Sequence, residues 1–192
     1  MKRRHLSLAL ISLFAIGLTA TGWAESPTVP RKKQTSLRLY VSAEKAYAMW
    51  QADPRKTFLL DVRTPEEYIF VGHTPMAKHI PLKFLDQKAT AMKARPVMAA
   101  NSDFVDEVRA HYGTTDKILI MCRSGGRSAA AVNQLAKAGF TSVYSIIDGF
   151  EGDLIKDKKS IHRGKRKKNG WKNTGAPWTY KIDPELVYHP KF

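Results

Sequence analysis

A second cysteine is missing from this chain of 192 residues, which contains only Cys122. One cysteine excludes an intramolecular disulfide framework and a metal site built from several cysteines. Acidic residues are also few, 17 against 32 Lys and Arg, so the formal charge is +15. The composition, 43% hydrophobic and 26% charged, is typical of a folded globular protein and argues against disorder. The length suits one domain with appendages.

The chain has no apolar run of the roughly 18 residues that a membrane-spanning helix requires. Its amino terminus instead has basic residues at 2–4, an uncharged run over residues 6–18, and small residues before Glu25. This order is typical of a secretory signal peptide. We therefore predict a signal peptide over residues 1–24, cleavage after Ala24 and a periplasmic or secreted product. An uncleaved amino-terminal anchor is the alternative.

Export changes how the charge and the cysteine are interpreted. The charge alone suggests a nucleic-acid partner, but we expect no nucleic acid to be bound by an exported protein. A lone thiol in an oxidising compartment is liable to oxidation and cross-linking, so Cys122 is expected to be present for its chemistry. The alternative is that Cys122 is an inert, buried apolar side chain.

Strand-like and helix-like segments alternate along the rest of the chain. Continuous apolar runs predict strands that are buried on both faces, and the segments between them have helical signals. The predicted strands are residues 37–41, 57–62, 77–80, 117–121 and 141–147, and the predicted helices are residues 43–50, 65–72, 86–95, 103–112 and 129–137. This alternation predicts an α/β domain over residues 37–155, an open parallel sheet with helices on both faces. Residues 25–36 are predicted to be a flexible lead-in, and residues 156–192 a carboxyl-terminal extension.

Local signals predict where two of these helices begin. Thr64 and Glu67 have the spacing of a capping box, with Pro65 at the first helical position. Ser102 is predicted to cap a later helix, which should end near Gly113.

The segment that follows the strand at 117–121 has the composition of an anion-binding loop. It consists of Cys122, Arg123, Ser124, Gly125, Gly126, Arg127 and Ser128. Ligands of open α/β sheets bind at the carboxyl ends of the strands. Glycines let successive N–H groups point into one hollow, and the next helix and two arginines add positive charge. We therefore expect an ionised Cys122 that is reachable from solvent, in a hollow that holds an anionic substrate.

Four segments of the chain resemble the rhodanese homology domain in their order and spacing. They are residues 59–68, residues 72–75 with 80–81, Cys122 through Ser128, and residues 138–140. The resemblance covers about residues 40–153. It implies a rhodanese-like α/β fold, in which the cysteine accepts a sulfane sulfur as a persulfide and passes it to a nucleophile.

The same resemblance implies roles for individual residues. Cys122 would carry the sulfur, and the cradle around it would be formed by Arg123, Ser124, Gly125, Gly126, Arg127 and Ser128. Asp61 would be a buried support that pairs with an arginine, either Arg123 or Arg63. Neither a cofactor nor a metal ion is implied, and the partners would be small donors and acceptors such as thiosulfate, cyanide, sulfite or thiols.

The cysteine loop and its surroundings differ from the motifs of two groups of proteins with the same fold. Rhodanese-fold phosphatases have five residues between cysteine and arginine, whereas four separate Cys122 from Arg127, which disfavours a phosphatase. Mitochondrial thiosulfate sulfurtransferases carry a lysine and an arginine where this chain has Ser124 and Glu67. The loss of these two cations weakens the case for free thiosulfate as the preferred donor. Glu67 either selects another donor or caps its helix, and we expect the second.

The extension begins with a basic run, from Lys156 to Lys168, that contains eight Lys and Arg in thirteen positions. This run suits an acidic protein partner or an anionic membrane surface, and a solvated connecting loop is the alternative. Trp171 and Trp178 are expected to pack back on the domain near the mouth of the cysteine loop, because large aromatic side chains are rarely left in water.

Two histidines, His73 and His79, lie six residues apart with no third ligand in register. A closed metal site needs about four ligands, so we expect no metal ion here. His73 is expected to form hydrogen bonds with loop backbone instead.

These observations favour an exported sulfurtransferase that works by a two-step exchange through Cys122. The alternative from another class is a sulfur carrier that exchanges only with a protein partner and has little turnover on small donors. A phosphatase is the third candidate.

Overall fold

The computed structural model describes residues 29–190. The predicted signal peptide, residues 1–24, lies outside the described residues, as does the start of the predicted lead-in. Within the described part, no helix combines the length and the apolar character needed to cross a membrane.

Strands and helices alternate through the first two thirds of the described chain. The strands are β1 (Tyr40–Val41), β2 (Thr57–Asp61), β3 (Ala77–His79), β4 (Lys83–Leu85), β5 (Met98–Ala100), β6 (Lys117–Met121) and β7 (Val143–Ile146). The helices are α1 (Ala43–Ala52), α2 (Pro65–Val71), α3 (Gln87–Lys93), α4 (Phe104–His111) and α5 (Gly126–Lys137). Short 3₁₀ turns cover Arg31–Lys33 and Trp171–Asn173.

Five of the strands form one parallel sheet in the order β1-β7-β6-β2-β3. Alternate residues of its central strands face opposite sides. Leu60 and Ile120 pack in a cluster with side chains of α4 and α5, whereas Leu59 and Leu119 pack with side chains of α1. The predicted parallel sheet with helices on both faces is confirmed, because each face of the apolar strands is covered.

The two predicted helix starts have different outcomes. The capping box of α2 is present: the Thr64 hydroxyl accepts from the Glu67 amide at 3.3 Å, and the Glu67 carboxylate accepts from the Thr64 amide at 3.1 Å. The cap assigned to Ser102 is wrong. Asp103 occupies that position, because the Asn101 side-chain oxygen accepts from its amide at 3.0 Å and so sets the turn before the helix.

One predicted strand is shorter in the structure, and two strands of the structure were not predicted. The strand predicted over residues 37–41 is reduced to β1, because Arg38 has a positive φ of 54° and interrupts the extended backbone. The segment predicted as one helix over residues 86–95 contains α3, but β4 and β5 flank it as a separate antiparallel pair. These three-residue strands are too short to produce a clear alternation of apolar and polar residues.

The lead-in predicted to be flexible over residues 25–36 is instead folded against the domain where the structure describes it. Lys33 is buried, and its ammonium donates to the Ile147 carbonyl at 2.8 Å and to Asp153 at 3.1 Å. A lysine stem can cover apolar surface while its charged end reaches polar partners, and here those partners fix the segment beside β7.

The extension also packs on the domain. Asp148 accepts from the amide of Ala43 at 2.8 Å and from that of Gly170 at 2.9 Å, so one carboxylate joins the start of α1 to the extension. Trp171 is fully buried, with its ring 5.5 Å from that of Tyr47. The extension therefore completes the core on the α1 face of the sheet.

Candidate active site

Cys122 follows the last residue of β6 at the carboxyl edge of the parallel sheet. Gly125 has a φ of 95° and forms the amino-terminal cap of α5, which begins at Gly126 rather than at residue 129 as predicted. The cysteine and the first turn of α5 thus form a tight loop. Such a loop directs backbone N–H groups and the positive end of the helix toward one point.

The thiol of Cys122 lies inside this loop. Its Sγ accepts a hydrogen bond from the Gly125 amide at 3.2 Å. The residue is only 2% exposed, so the prediction that Cys122 is reachable from solvent is wrong for this structure. A donor therefore reaches the sulfur only if the loop or its neighbours move aside.

The loop is held in place by the turn that follows β7. The Phe150 amide donates to the Cys122 carbonyl at 2.7 Å, and the Glu151 amide donates to the Arg123 carbonyl at 2.9 Å. Gly149 has a φ of 64°, and a Cβ there would overlap the Cys122 carbonyl oxygen and lie 2.7 Å from the Ser124 nitrogen. No local signal in the sequence predicts this supporting contact, because it joins segments that follow two different strands.

Arg127 is bound by a carboxylate from α2. Its two terminal nitrogens donate to the two oxygens of Glu67, each at 2.6 Å. The side chains are 17% and 16% exposed, so the pair is largely screened from water. The expected capping role of Glu67 is therefore confirmed, and the same carboxylate also contacts the loop through Arg127.

The protonation of Glu67 follows from these contacts. Burial alone would raise its pKa, but the hydrogen bonds and charge of Arg127 and the Thr64 amide outweigh it and hold the pKa below the usual value. The carboxylate is therefore ionised at neutral pH, and it offsets the positive charge that Arg127 brings to the loop.

Asp61, at the end of β2, pairs with Arg63 and not with Arg123. Arg63 donates to the Asp61 carboxylate through Nη2 at 2.6 Å and through Nε at 2.9 Å, and both side chains are fully buried. Burial would raise the pKa of Asp61, but the charge and hydrogen bonds of Arg63 keep it below the usual value. Arg123 is exposed and forms no ion pair within residues 29–190.

The buried Asp61–Arg63 pair contacts the turn that holds the cysteine loop. The Arg63 guanidinium lies over the ring of Phe150 at 4.0 Å and also donates to the Gly72 carbonyl at 2.8 Å. Since the Phe150 amide binds the Cys122 carbonyl, the buried pair is linked to the loop through one aromatic residue. A buried charge pair is costly unless its hydrogen bonds are satisfied, as they are here.

Of the remaining loop residues, one is buried in α5 and two line a cavity at the surface. Ser128, in the first turn of α5, is fully buried, and its hydroxyl has no hydrogen-bond partner within the described chain. Ser124 and Gly126 line a cavity beside the loop. Of the predicted cradle, Gly125 provides the hydrogen bond to Cys122 Sγ, whereas the Arg123 side chain is exposed.

The two histidines belong to the support of the site. The ring nitrogens of His73 lie 3.1 Å from the carbonyl oxygens of Tyr68 and of Lys181, so the predicted contact with loop backbone is present. His79 stacks on Tyr68, with ring centroids 4.2 Å apart. Residues 29–190 contain no cluster of three or more His, Cys, Asp or Glu side chains that suits a metal ion.

The tryptophans of the extension lie away from the mouth of the loop. Trp171 packs behind the turn that supports Cys122, and its amide donates to the Gly149 carbonyl at 2.9 Å. Trp178 is 37% exposed and lies under the ammonium of Lys172, at 4.1 Å. Neither lines the cavity beside the loop, which corrects their expected placement near the mouth.

The fold is a five-stranded parallel sheet with its one cysteine at the carboxyl end of the central strand, β6, just before the cap of α5. A family model described as Rhodanese-like domain matches residues 42–154. The chain therefore belongs to the rhodanese-like family, and the family supports a role in sulfur transfer.

Individual relatives agree with this assignment. Thiosulfate sulfurtransferase 16, chloroplastic, of Arabidopsis thaliana is 41% identical over 91 residues, which is 47% of this chain and 68% of the relative. Senescence-associated protein DIN1 of Raphanus sativus is 36% identical over the same length, and the match spans 45% of that protein. The crystal structure of Rv0390 from M. tuberculosis is similar with a TM-score of 0.59 and 28% identity, covering 74% of this chain and 97% of that one.

Proposed function

We propose that the protein is an exported sulfurtransferase that carries a sulfane sulfur on Cys122. The observation that supports this most directly is the Gly125 amide on Sγ at 3.2 Å, at the start of α5. Backbone donors and a helix amino terminus stabilise negative charge on a thiolate and equally on the terminal sulfur of a persulfide. The family and the sulfurtransferase among its relatives support the same chemistry.

The proposed reaction has two balanced steps. The Cys122 thiolate attacks the outer sulfur of thiosulfate, so that an S–S bond to Sγ forms, the donor S–S bond breaks and sulfite leaves. A nucleophile such as cyanide, sulfite or a thiol then attacks the terminal sulfur of the persulfide, and the Cys122 thiolate leaves. With cyanide the product is thiocyanate, and no external oxidant or reductant is consumed.

The burial of Cys122 adds a requirement to this proposal. Because the residue is 2% exposed, the first step needs a local opening of the loop or of the neighbouring Arg127–Glu67 contact. If such an opening occurs, iodoacetamide should label Cys122 in the folded chain. The labelling rate should be far below the rate measured for the urea-unfolded chain. A folded chain that remains unlabelled under prolonged treatment would contradict the proposal.

The decisive experiment combines turnover with intact mass. Thiosulfate and cyanide should yield thiocyanate with the wild-type chain and none with Cys122→Ala. Thiosulfate alone should add the mass of one sulfur atom to the wild-type chain, and a thiol reductant should remove it. The absence of both the mass gain and the thiocyanate, for every sulfane donor tried, would overturn the proposal.

Two other functions make different predictions in the same assays. A sulfur carrier would gain one sulfur from a protein partner without turning over thiosulfate and cyanide. A phosphatase would hydrolyse an aryl phosphate in a Cys122-dependent way, and the four-residue spacing to Arg127 disfavours it. We also propose export, supported by the signal-peptide pattern of residues 1–24. This proposal predicts a periplasmic protein whose intact mass equals that of a chain starting at Glu25.

A further inference from the structure

A cavity of about 890 Å³ lies beside the cysteine loop. The loop contributes Ser124 and Gly126 to its wall. The rest of the wall comes from the lead-in and from the end of the domain and the extension, namely Pro30, Lys32, Lys33, Asp153, Leu154, Ile155, Lys156, Asp157, Arg166 and Lys168. Most of these residues lie outside residues 42–154, so this cavity is built largely by segments that the family model does not include.

The wall of this cavity is positively charged. It contains five basic and two acidic side chains, and one acid, Asp153, is already paired with Lys33 at 3.1 Å. Lys32, Lys156 and Lys168 are exposed and form no ion pair within residues 29–190. Three uncompensated ammonium groups around one concave surface attract an anionic ligand, because a cleft concentrates their field.

The size of the cavity distinguishes among anions. Volumes of about 300–1,000 Å³ accommodate drug-sized ligands, whereas a small inorganic donor fills only a fraction of this space. The wall also includes the apolar side chains of Leu154 and Ile155 between the charges. A concave surface with apolar and cationic parts suits a peptide segment with acidic side chains better than a flat lipid surface.

Resting on the proposed sulfur transfer, we propose that this cavity is a docking groove for an acidic segment of a partner protein. A cysteine in that segment exchanges sulfur with Cys122. When the partner is the acceptor, its thiolate attacks the terminal sulfur of the Cys122 persulfide, an S–S bond to the partner forms, and the Cys122 thiolate leaves. The groove begins at Ser124 and Gly126, next to the buried sulfur, so a docked segment has its cysteine beside the loop.

The first test measures binding without chemistry. Three labelled peptides of equal length carry a central serine flanked by glutamates, serines or lysines, and fluorescence anisotropy reports their binding to the full chain. The glutamate peptide should bind wild type and Cys122→Ala equally. Its affinity should fall by about tenfold in Lys156→Glu/Lys168→Glu. The matched control is Lys88→Glu/Lys93→Glu, which makes the same charge change on exposed residues of α3 outside the cavity and should leave the affinity near that of wild type.

The second test measures transfer from loaded Cys122 to peptides that carry cysteine in place of the central serine. Acidic neighbours alter the reactivity of the peptide thiol itself, so the rates are compared as the ratio of wild type to variant for each peptide. That ratio should be about tenfold for the glutamate peptide, near one for the serine-flanked peptide and below one for the lysine peptide. It should decline as salt is added, because exposed charges are screened.

The outcomes separate the groove from the function on which it rests. If Cys122 never accepts sulfur but the glutamate peptide still binds selectively, the proposed function fails and the groove stands. If transfer occurs but the three peptides bind alike, or the two double variants lose affinity equally, the groove is wrong. Binding of the chain to phosphatidylcholine vesicles only when phosphatidylglycerol is added, dependent on Lys156 and Lys168 and without peptide selectivity, would assign this surface to a membrane.

Discussion

Glu67 affects both the helix that carries it and the charge of the loop that it contacts. Its carboxylate accepts from the Thr64 amide and binds both terminal nitrogens of Arg127. A guanidinium that is already paired attracts an anionic donor less strongly than a free one. At the scale of single residues, Glu67 is therefore the side chain that we expect to set the preferred charge of the donor.

Glu67→Gln tests this effect, because glutamine still serves in a capping box but leaves Arg127 uncompensated. We expect kcat/KM for dianionic thiosulfate to rise by about tenfold relative to that for the monoanion methanethiosulfonate. Glu66→Gln, the same change one residue away and without a contact to Arg127, should leave this ratio unchanged. Equal changes for both donors in Glu67→Gln would show that Glu67 acts only on helix structure.

His79 is a buried group whose protonation opposes folding. Burial lowers its pKa despite the nearby Asp61 carboxylate, which acts in the opposite direction. Its Nε2 lies 3.0 Å from the Arg63 carbonyl, and its Nδ1 accepts from the Tyr188 amide at 3.4 Å. A second ring proton would displace the amide, so the folded state favours the neutral imidazole.

This arrangement predicts a loss of stability in mild acid. The unfolded state gains a proton near the usual value of 6.5, whereas the folded state resists it, so the free energy of unfolding falls as the pH drops below about 6.5. Below the usual values of 4.5 for Glu67 and 3.8 for Asp61, the two lowered carboxyl pKa values add a further loss. Urea midpoints measured from about pH 7.5 to about pH 5 should decline less in His79→Gln than in wild type.

His189→Gln provides the control for that comparison, since His189 is exposed at the end of the described chain. It should retain the pH dependence of wild type. The interpretation fails if His79→Gln and wild type lose stability in parallel between about pH 6.5 and about pH 5.

At the scale of elements, the cysteine loop depends on a turn that contributes no side chain to the chemistry. The turn after β7 binds the loop backbone through the amides of Phe150 and Glu151, and Gly149 allows the two segments to approach. The position of Cys122 is therefore determined by two neighbouring strands, β6 and β7, and by the connection that leaves each of them.

Gly149→Ala should weaken this support. A Cβ at a positive φ costs about 1–2 kcal/mol, and its overlap with the Cys122 carbonyl brings the expected loss to about 2–4 kcal/mol of unfolding free energy. Sulfur loading at Cys122 should decrease with it, measured by intact mass on the fraction that remains folded. Gly113→Ala has room for its Cβ, at 3.7 Å from the nearest atom, and should change stability by less than about 0.5 kcal/mol. Equal stability of the two variants would contradict the supporting role of the turn.

At the scale of the whole molecule, the segments on either side of the rhodanese-like domain are part of its folded structure. Lys33 of the lead-in binds Ile147, just after β7, and Asp153, and Trp171 of the extension packs in the core against α1. Together they build the basic cavity beside the loop. The appendages thus give this chain a surface that the matched domain alone does not supply.

Trp171→Ala should destabilise the entire chain rather than detach the extension. Removal of a fully buried tryptophan leaves a cavity in the core, and the expected cost is about 3–5 kcal/mol. Trp178→Ala removes a partly exposed ring that contacts Lys172 and Tyr180, and it should cost about 1 kcal/mol. Cooperative unfolding in urea, followed by circular dichroism, distinguishes the two. A wild-type stability of Trp171→Ala would mean that the extension is not part of the core.

The sequence by itself determined the parallel α/β architecture, the capping box of α2 and the loop that starts at Cys122. Each depends on local properties, namely continuous apolar runs, the spacing of Thr64 and Glu67, and glycines directly after a strand. The choice of Arg63 over Arg123 as the partner of Asp61 was left open, because either position in the sequence satisfies the same charge.

Only the tertiary structure decided the contacts between distant segments. Arg127 meets Glu67 across 60 positions and Lys33 meets Asp153 across 120, and no periodic pattern encodes such pairs. The enclosure of Cys122 and the basic cavity beside it arise in the same way, because burial and concavity depend on which segments pack together. Local chemistry placed the reactive sulfur, and long-range packing determined what can reach it.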